Sequence, residues 1–141
     1  MDHYMNANIV FSKFSRNYME LKKELPIRPS EMAVLNIITQ RDGLYTPLMI
    51  ATLLGVSKPM IAAHIQVLLK KGYIYKKPST EDKRSFYVMP TRQAIALTNT
   101  FNKKQNDYLK TIEASIGETE FNELVSLLDK TLPILEKIKE V

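Results

Sequence analysis

The feature that most constrains this chain is a three-residue break. Thr46-Pro47 opens one short segment in which Leu48, Ala51 and Leu54 share a face. Gly55-Val56-Ser57 then separates it from a second segment, whose core side is Ile61, Ile65 and Leu68 and which runs to Lys71-Gly72. Threonine and serine start helices by accepting orphan backbone N–H groups, and proline fits the first helical position. Glycine stops a helix by adopting the left-handed conformation. Two short helices joined by so tight a glycine-containing turn form a helix-turn-helix unit.

The flanking sequence supplies the rest of the fold. From Tyr4 to Leu25, the residues Tyr4, Ala7, Phe11, Phe14, Tyr18, Leu21 and Leu25 keep a three-and-four spacing, which predicts a long amphipathic helix ended by Pro26 and Pro29. Pro29 begins a second helix, with Glu31 in its first turn and Met32, Leu35 and Ile38 as its buried face, up to Asp42-Gly43. After Gly72 the pattern changes to Tyr73-Ile74-Tyr75 and Ser85 to Met89, aromatic and β-branched runs that suit strands. The interval KKPSTEDKR between them reads as the charged tip of a β-hairpin. Thr91 caps a long helix to Gly117, and a last helix runs from about Glu118 to Val141, with a kink expected at Pro133. The fold class is therefore mainly α with a small β-hairpin.

Charge is distributed unevenly. Of the formal +5, residues 1–44 carry +1, residues 45–110 carry +8 and residues 111–141 carry −4. A basic middle between a neutral start and an acidic end suits a polyanionic partner, although solvated surface lysines would give the same count.

The stretch from Leu44 to Thr91 resembles the MarR family of winged helix-turn-helix transcriptional regulators. Ala51, Gly55, Val56 and Ser57 match its helix-turn-helix spacing, Leu68 and Lys70-Lys71-Gly72-Tyr73-Ile74 its exit into the wing, and Asp82-Lys83-Arg84 its Asp-x-Arg motif. The chain departs from the pattern at Ala63, where an arginine is frequent, at Gln66-Val67, where Asp-Arg is frequent, and at Ala94, where glycine is usual. The resemblance implies one chain, 1–141, with a DNA-binding winged lobe at 30–90 and helical dimerisation regions at 1–25 and 91–141. It further implies a ligand-responsive repressor that binds a pseudo-palindromic double-stranded DNA operator as a homodimer.

In a helix-turn-helix the second helix enters the major groove with its N-terminal residues near base edges. Here the exposed candidates are Ser57, Lys58, Pro59, Met60, Ala62, Ala63, His64 and Gln66, with Lys70, Lys71, Lys76 and Lys77 for phosphates. Donors are few on this face, so direct readout is expected to be limited and groove shape to contribute, with A·T-rich sequence favoured. Lys83 and Arg84 at the hairpin tip suit a narrow minor groove, a role that the resemblance assigns to Arg84, and Asp82 would hold the tip. A plain solvated hairpin with a turn salt bridge would use the same residues.

Phe11, Phe14 and Tyr18 at one end and Leu124, Leu128, Leu135 and Ile138 at the other form stripes that either pack within the chain or join two copies; the resemblance favours dimerisation. It also implies a small aromatic or anionic effector. Tyr4, Phe14, Tyr18 and Met32 are candidates for its cleft, or are simply core.

Two histidines, no cysteine, no glycine-rich phosphate loop and no ligand-spaced carboxylate cluster leave little from which to build a catalytic or metal site, so no enzyme activity and no cofactor are expected. No segment has the roughly 18 apolar residues of a membrane span and the N-terminus lacks a signal peptide's pattern, so a cytoplasmic protein without a membrane partner is expected. The competing reading is a winged-helix RNA-binding or protein-interaction module without operator specificity. The aromatics, however, fall mostly on helix stripes or alternate along the wing strands, rather than forming a stacking platform for single strands.

Overall fold

In the computed structural model, which describes residues 2–140, Asp2 starts the first helix by accepting the N–H groups of Tyr4 at 2.7 Å and Met5 at 3.3 Å on Oδ1. Helix α1 (His3–Glu20) ends before the expected Leu25. Lys22 and Lys23 instead bond three residues back, to the carbonyls of Met19 and Glu20, and Pro26 disfavours helical backbone at Leu25. Helix α2 (Pro29–Gln40) has proline in its first turn, and Glu31 reaches back so that Oε1 accepts the Arg28 N–H at 3.0 Å. Its inner face, Met32, Val34, Leu35, Ile37 and Ile38, is the centre of the lobe's core.

Helix α3 (Pro47–Leu54) is capped by Thr46, whose Oγ1 accepts the Met49 N–H at 3.3 Å, and is stopped by Gly55 at φ 67°, ψ 35°. Its buried residues are Ile50 and Ala51, with Leu54 half-buried. Leu48, expected inward, is 55% exposed, and Ile50 is buried in its place. Helix α4 (Lys58–Lys70) starts at Ser57, whose Oγ accepts the Met60 N–H at 3.2 Å, and buries Ile61, Ile65 and Leu68. The two helices meet at a bend of 115°, the steep crossing of a helix-turn-helix. Each fully buried leucine or isoleucine here contributes about 1.5–3 kcal/mol.

Strands β1 (Ile74–Pro78) and β2 (Phe86–Pro90) pair antiparallel, with Ile74 opposite Pro90 and Pro78 opposite Phe86. The first strand thus extends through Lys76-Lys77-Pro78, which by composition read as loop. Pro78 is tolerated because it lies at the strand's end. On the other edge of β2 the Val88 N–H donates to the Tyr45 carbonyl at 2.8 Å, tying the hairpin to the segment before α3. Thr91 closes the lobe: its Oγ1 lies 2.8 Å from the Gly72 carbonyl oxygen and 3.1 Å from that of Tyr73, and accepts the Ala94 N–H at 3.3 Å to start the next helix.

The chain divides into two compact units between Thr98 and Asn99. Helix α5 (Arg92–Ile116) begins in the first unit and ends in the second, and α6 (Glu118–Lys139) follows Gly117 at φ 101°. Pro133 does not interrupt α6. Among the described residues no single helix is long and apolar enough to cross a membrane; α3 and α4 reach that composition only together, across their bend, with their core side inside the lobe.

Candidate nucleic-acid interface

The outer face of α4 carries Ser57, Lys58, Pro59, Met60, Ala62, Ala63 and Gln66, all exposed, and Lys70 is exposed at its end. It is a smooth, methyl-rich surface. Ser57 Oγ is already engaged as a cap acceptor, so Lys58 and Gln66 are the side chains with polar groups reaching furthest from the helix. His64, expected on this face, is not part of it. Its side chain is 12% exposed, and Nδ1 lies 3.8 Å from Oε2 of Glu31, which is itself buried. The reason is rotational: His64 flanks the Ile61, Ile65 and Leu68 stripe on the side of Leu68, and α2 offers a carboxylate there in place of solvent.

The tip of the hairpin is built by its own backbone. Ser79 Oγ accepts the N–H groups of Glu81 at 3.3 Å and Asp82 at 3.2 Å, and the Ser85 N–H donates to the Asp82 carbonyl at 3.0 Å. Asp82 Oδ1 accepts the Arg84 backbone N–H at 2.9 Å, and the Arg84 Nε lies 3.7 Å from the same oxygen. The Arg84 side chain is 94% exposed. Its solvated ion pair contributes little to stability, whereas the bond from Asp82 to the main chain sets the turn. Lys83 is exposed beside it. Lys76 rests its ammonium 4.5 Å from the centre of the Phe86 ring, a cation–π contact that steadies the wing's flank.

Residues 27–86, the span of the helix-turn-helix and most of the wing, match the model of the MarR family. That lobe is what this chain has in common with the MarR family. No curated protein matches the chain, but solved structures share its fold along nearly its whole length. It is similar to FabT of Streptococcus pneumoniae in complex with DNA, with a TM-score of 0.83 at 18% identity over 96% of this chain and 99% of that one. MepR of S. aureus in its DNA-binding conformation gives 0.71 at 18% identity, covering 96% and 99%. Wild-type MarR of E. coli in its apo form gives 0.69 at 23% identity, covering 94% and 98%.

The winged helix-turn-helix architecture of the family leaves the terminal helices outside the lobe's core. Helix α1 buries none of its residues: Tyr4 is 80%, Phe11 67% and Phe14 44% exposed, and the Phe14 ring stacks on Tyr18 at 5.7 Å. Helix α6 likewise buries none, exposing Leu128, Leu132, Ile134, Leu135 and Ile138, with Leu124 half-buried. Of the residues expected to line an effector cleft, Tyr4, Phe14 and Tyr18 lie on α1, and Met32 is 1% exposed in the core of the lobe. A cavity of about 410 Å³ opens instead where the α1–α2 connection meets the end of α4, lined by Leu25, Ile27, Arg28, Glu31, Val67 and Lys71. Lys71 is held there by donating to the Pro26 carbonyl at 3.1 Å.

Sequence reasoning missed Glu31 as the partner of His64 and Ser79 as the organiser of the tip. The signal for Glu31 was present, since a glutamate two residues after a helix-opening proline reads as the reach-back half of a capping box.

Proposed function

We propose that this chain is a transcriptional regulator of the MarR type, which binds a pseudo-palindromic double-stranded operator as a homodimer and represses by occupying it. The observation that carries the reading is the coexistence, in one lobe, of an exposed methyl-rich face on α4 and a fully solvated arginine on a turn built to present it. Ser57, Lys58, Pro59, Met60, Ala62, Ala63 and Gln66 face the major groove, Lys58 and Gln66 supplying polar contacts and the alanines meeting thymine methyls. Arg84 and Lys83 enter the adjacent minor groove, held by Asp82, while Lys70 and Lys76 neutralise phosphates.

Dimerisation is supported by the apolar residues that α1 and α6 leave in solvent. Phe11 and Phe14 on α1, and separately Leu128, Leu135 and Ile138 on α6, are apolar side chains that a monomer leaves in water and that a second copy would cover. In domain terms, 30–90 is the reading lobe, and 1–25 with 91–141 is the dimerisation region. A two-fold dimer places half-sites about one helical turn apart. Resemblance to the MarR family supports release by a small aromatic or anionic effector.

The test is selection of bound duplexes from a random library, followed by sequencing and anisotropy titration at two salt concentrations. A two-fold repeated motif with A·T-rich flanks, bound with steep salt dependence, is expected. Enrichment of single, unrepeated motifs would overturn the dimeric reading, and absence of any enriched sequence would overturn operator binding itself.

A further inference from the structure

The buried pair behind the reading face has no part in contacting DNA, yet it connects α4 to α2. Glu31 is 2% exposed, its Oε1 holds the Arg28 N–H at 3.0 Å, and its Oε2 lies 3.8 Å from Nδ1 of His64. His64 Nε2 is buried without a hydrogen-bond partner in the structure. A carboxylate and an imidazole with an unsatisfied nitrogen are costly tenants of a core that is otherwise Ile61, Ile65, Leu68, Met32 and Leu35, where an apolar side chain would pack without penalty. Apolar contacts are non-directional and leave a helix some freedom to roll on its neighbour. A polar pair favours one roll, because the imidazole and the carboxylate come within reach of each other over a narrow range of rotation.

On an α-helix, residues two apart lie roughly 160° around the axis from each other. His64 therefore points almost directly away from Ala62 and Gln66, so any roll that His64 permits is carried to the reading face. We propose that His64 is a positioning residue for DNA reading: held by Glu31, it sets the rotation of α4 on α2 and so the register in which Gln66, Ala62 and Ala63 meet base edges. This rests on the operator-binding reading above. It assigns the pair a role in discrimination between sequences, not in backbone affinity, because Lys58, Lys70 and Arg84 reach phosphates and the minor groove on flexible side chains that tolerate a small roll.

The test compares His64→Leu with His64→Asn, using the selected operator and a scrambled duplex of the same length. Asparagine keeps a donor near the place of Nδ1; leucine keeps the apolar volume and removes the donor. Wild type should discriminate between the two duplexes. His64→Leu should lower the operator-to-scrambled affinity ratio by about tenfold, the scale of one well-placed base pairing, with scrambled-duplex affinity nearly unchanged. His64→Asn should recover most of the ratio.

A folded His64→Leu protein that discriminates like wild type overturns the positioning role alone, as does an Asn variant no better than the Leu variant. Should His64→Leu fail to fold, Glu31→Gln, which keeps the oxygen that caps α2 and removes the charge facing His64, takes its place. An unchanged ratio in that variant also overturns the proposal, and a lowered ratio supports it. Wild-type protein that fails to discriminate overturns the operator reading, and this inference with it.

Discussion

Replacing Leu135 by alanine tests the dimer directly, because its effect can be worked from the exposure of one side chain. Leu135 is 50% exposed in the isolated chain, on a helix that buries none of its residues. Complete burial of a leucine side chain contributes about 1.5–3 kcal/mol, so covering the exposed half contributes about 0.8–1.5 kcal/mol. In a two-fold dimer the residue occurs twice, so Leu135→Ala should weaken association by about 1.5–3 kcal/mol. That corresponds to roughly a ten- to 150-fold rise in the dimer dissociation constant. Alanine is the best helix former and Leu135 supports no core within the chain, so α6 stays helical and the effect cannot arise from unfolding. Sedimentation equilibrium over a concentration series reads the constant. A value within about threefold of wild type would refute the argument that α6 forms the dimer interface, whatever the protein does with DNA.

Three further outcomes follow from the lobe. Arg84→Ala should weaken operator binding and reduce the slope of log affinity against log salt by about one unit, because a cation in the minor groove displaces a counterion, and leave the thermal midpoint unchanged because its ion pair with Asp82 is solvated; anisotropy titrations at several salts, with a melting curve, check both. Gly55→Ala should destabilise the lobe by about 1–2 kcal/mol, because φ 67° disfavours an L side chain even though a Cβ there would meet no atom within 4 Å; denaturant titration measures it, and a cost near zero would show that the turn relaxes. Replacing operator thymines with uracil at the positions facing Ala62 and Ala63 should lower affinity about fourfold for each methyl group removed, at about 0.8 kcal/mol apiece; unchanged affinity would place recognition elsewhere.

Most of the lobe is legible in the sequence because its signals are local. Thr46-Pro47, Gly55 and Ser57 mark helix ends through backbone hydrogen bonds and a left-handed glycine, and the structure uses each of them in that way. The differences come from contacts that no local pattern encodes. Polarity puts His64 on the surface, although its position borders the Ile61–Ile65–Leu68 stripe; what draws it inward is Glu31, on a helix distant in sequence. Lys76-Lys77-Pro78 reads as loop by composition, but pairing with Phe86, Tyr87 and Val88 holds it in the strand. Helix rotation, strand length and buried polar partners are decided by neighbours that meet only in the fold.

The placement of His64 changes how the reading head must work. Without it the exposed face of α4 offers Lys58 and Gln66 as its outer polar side chains, among methyl and thioether groups. One amide and one flexible ammonium distinguish few base pairs, so sequence preference has to draw on thymine methyls under the alanines and on the groove narrowing that the wing detects. Both favour A·T-rich DNA, one through the major groove and the other through the minor. A head of this kind gains from a fixed rotation more than a donor-rich one would, because methyl contacts have short range and one amide has a single good pairing geometry. In the proposed complex the turn at Asp82–Arg84 and the Glu31–His64 pair are therefore complementary: the wing would set where the lobe sits along the duplex, and the pair which face of α4 it presents there.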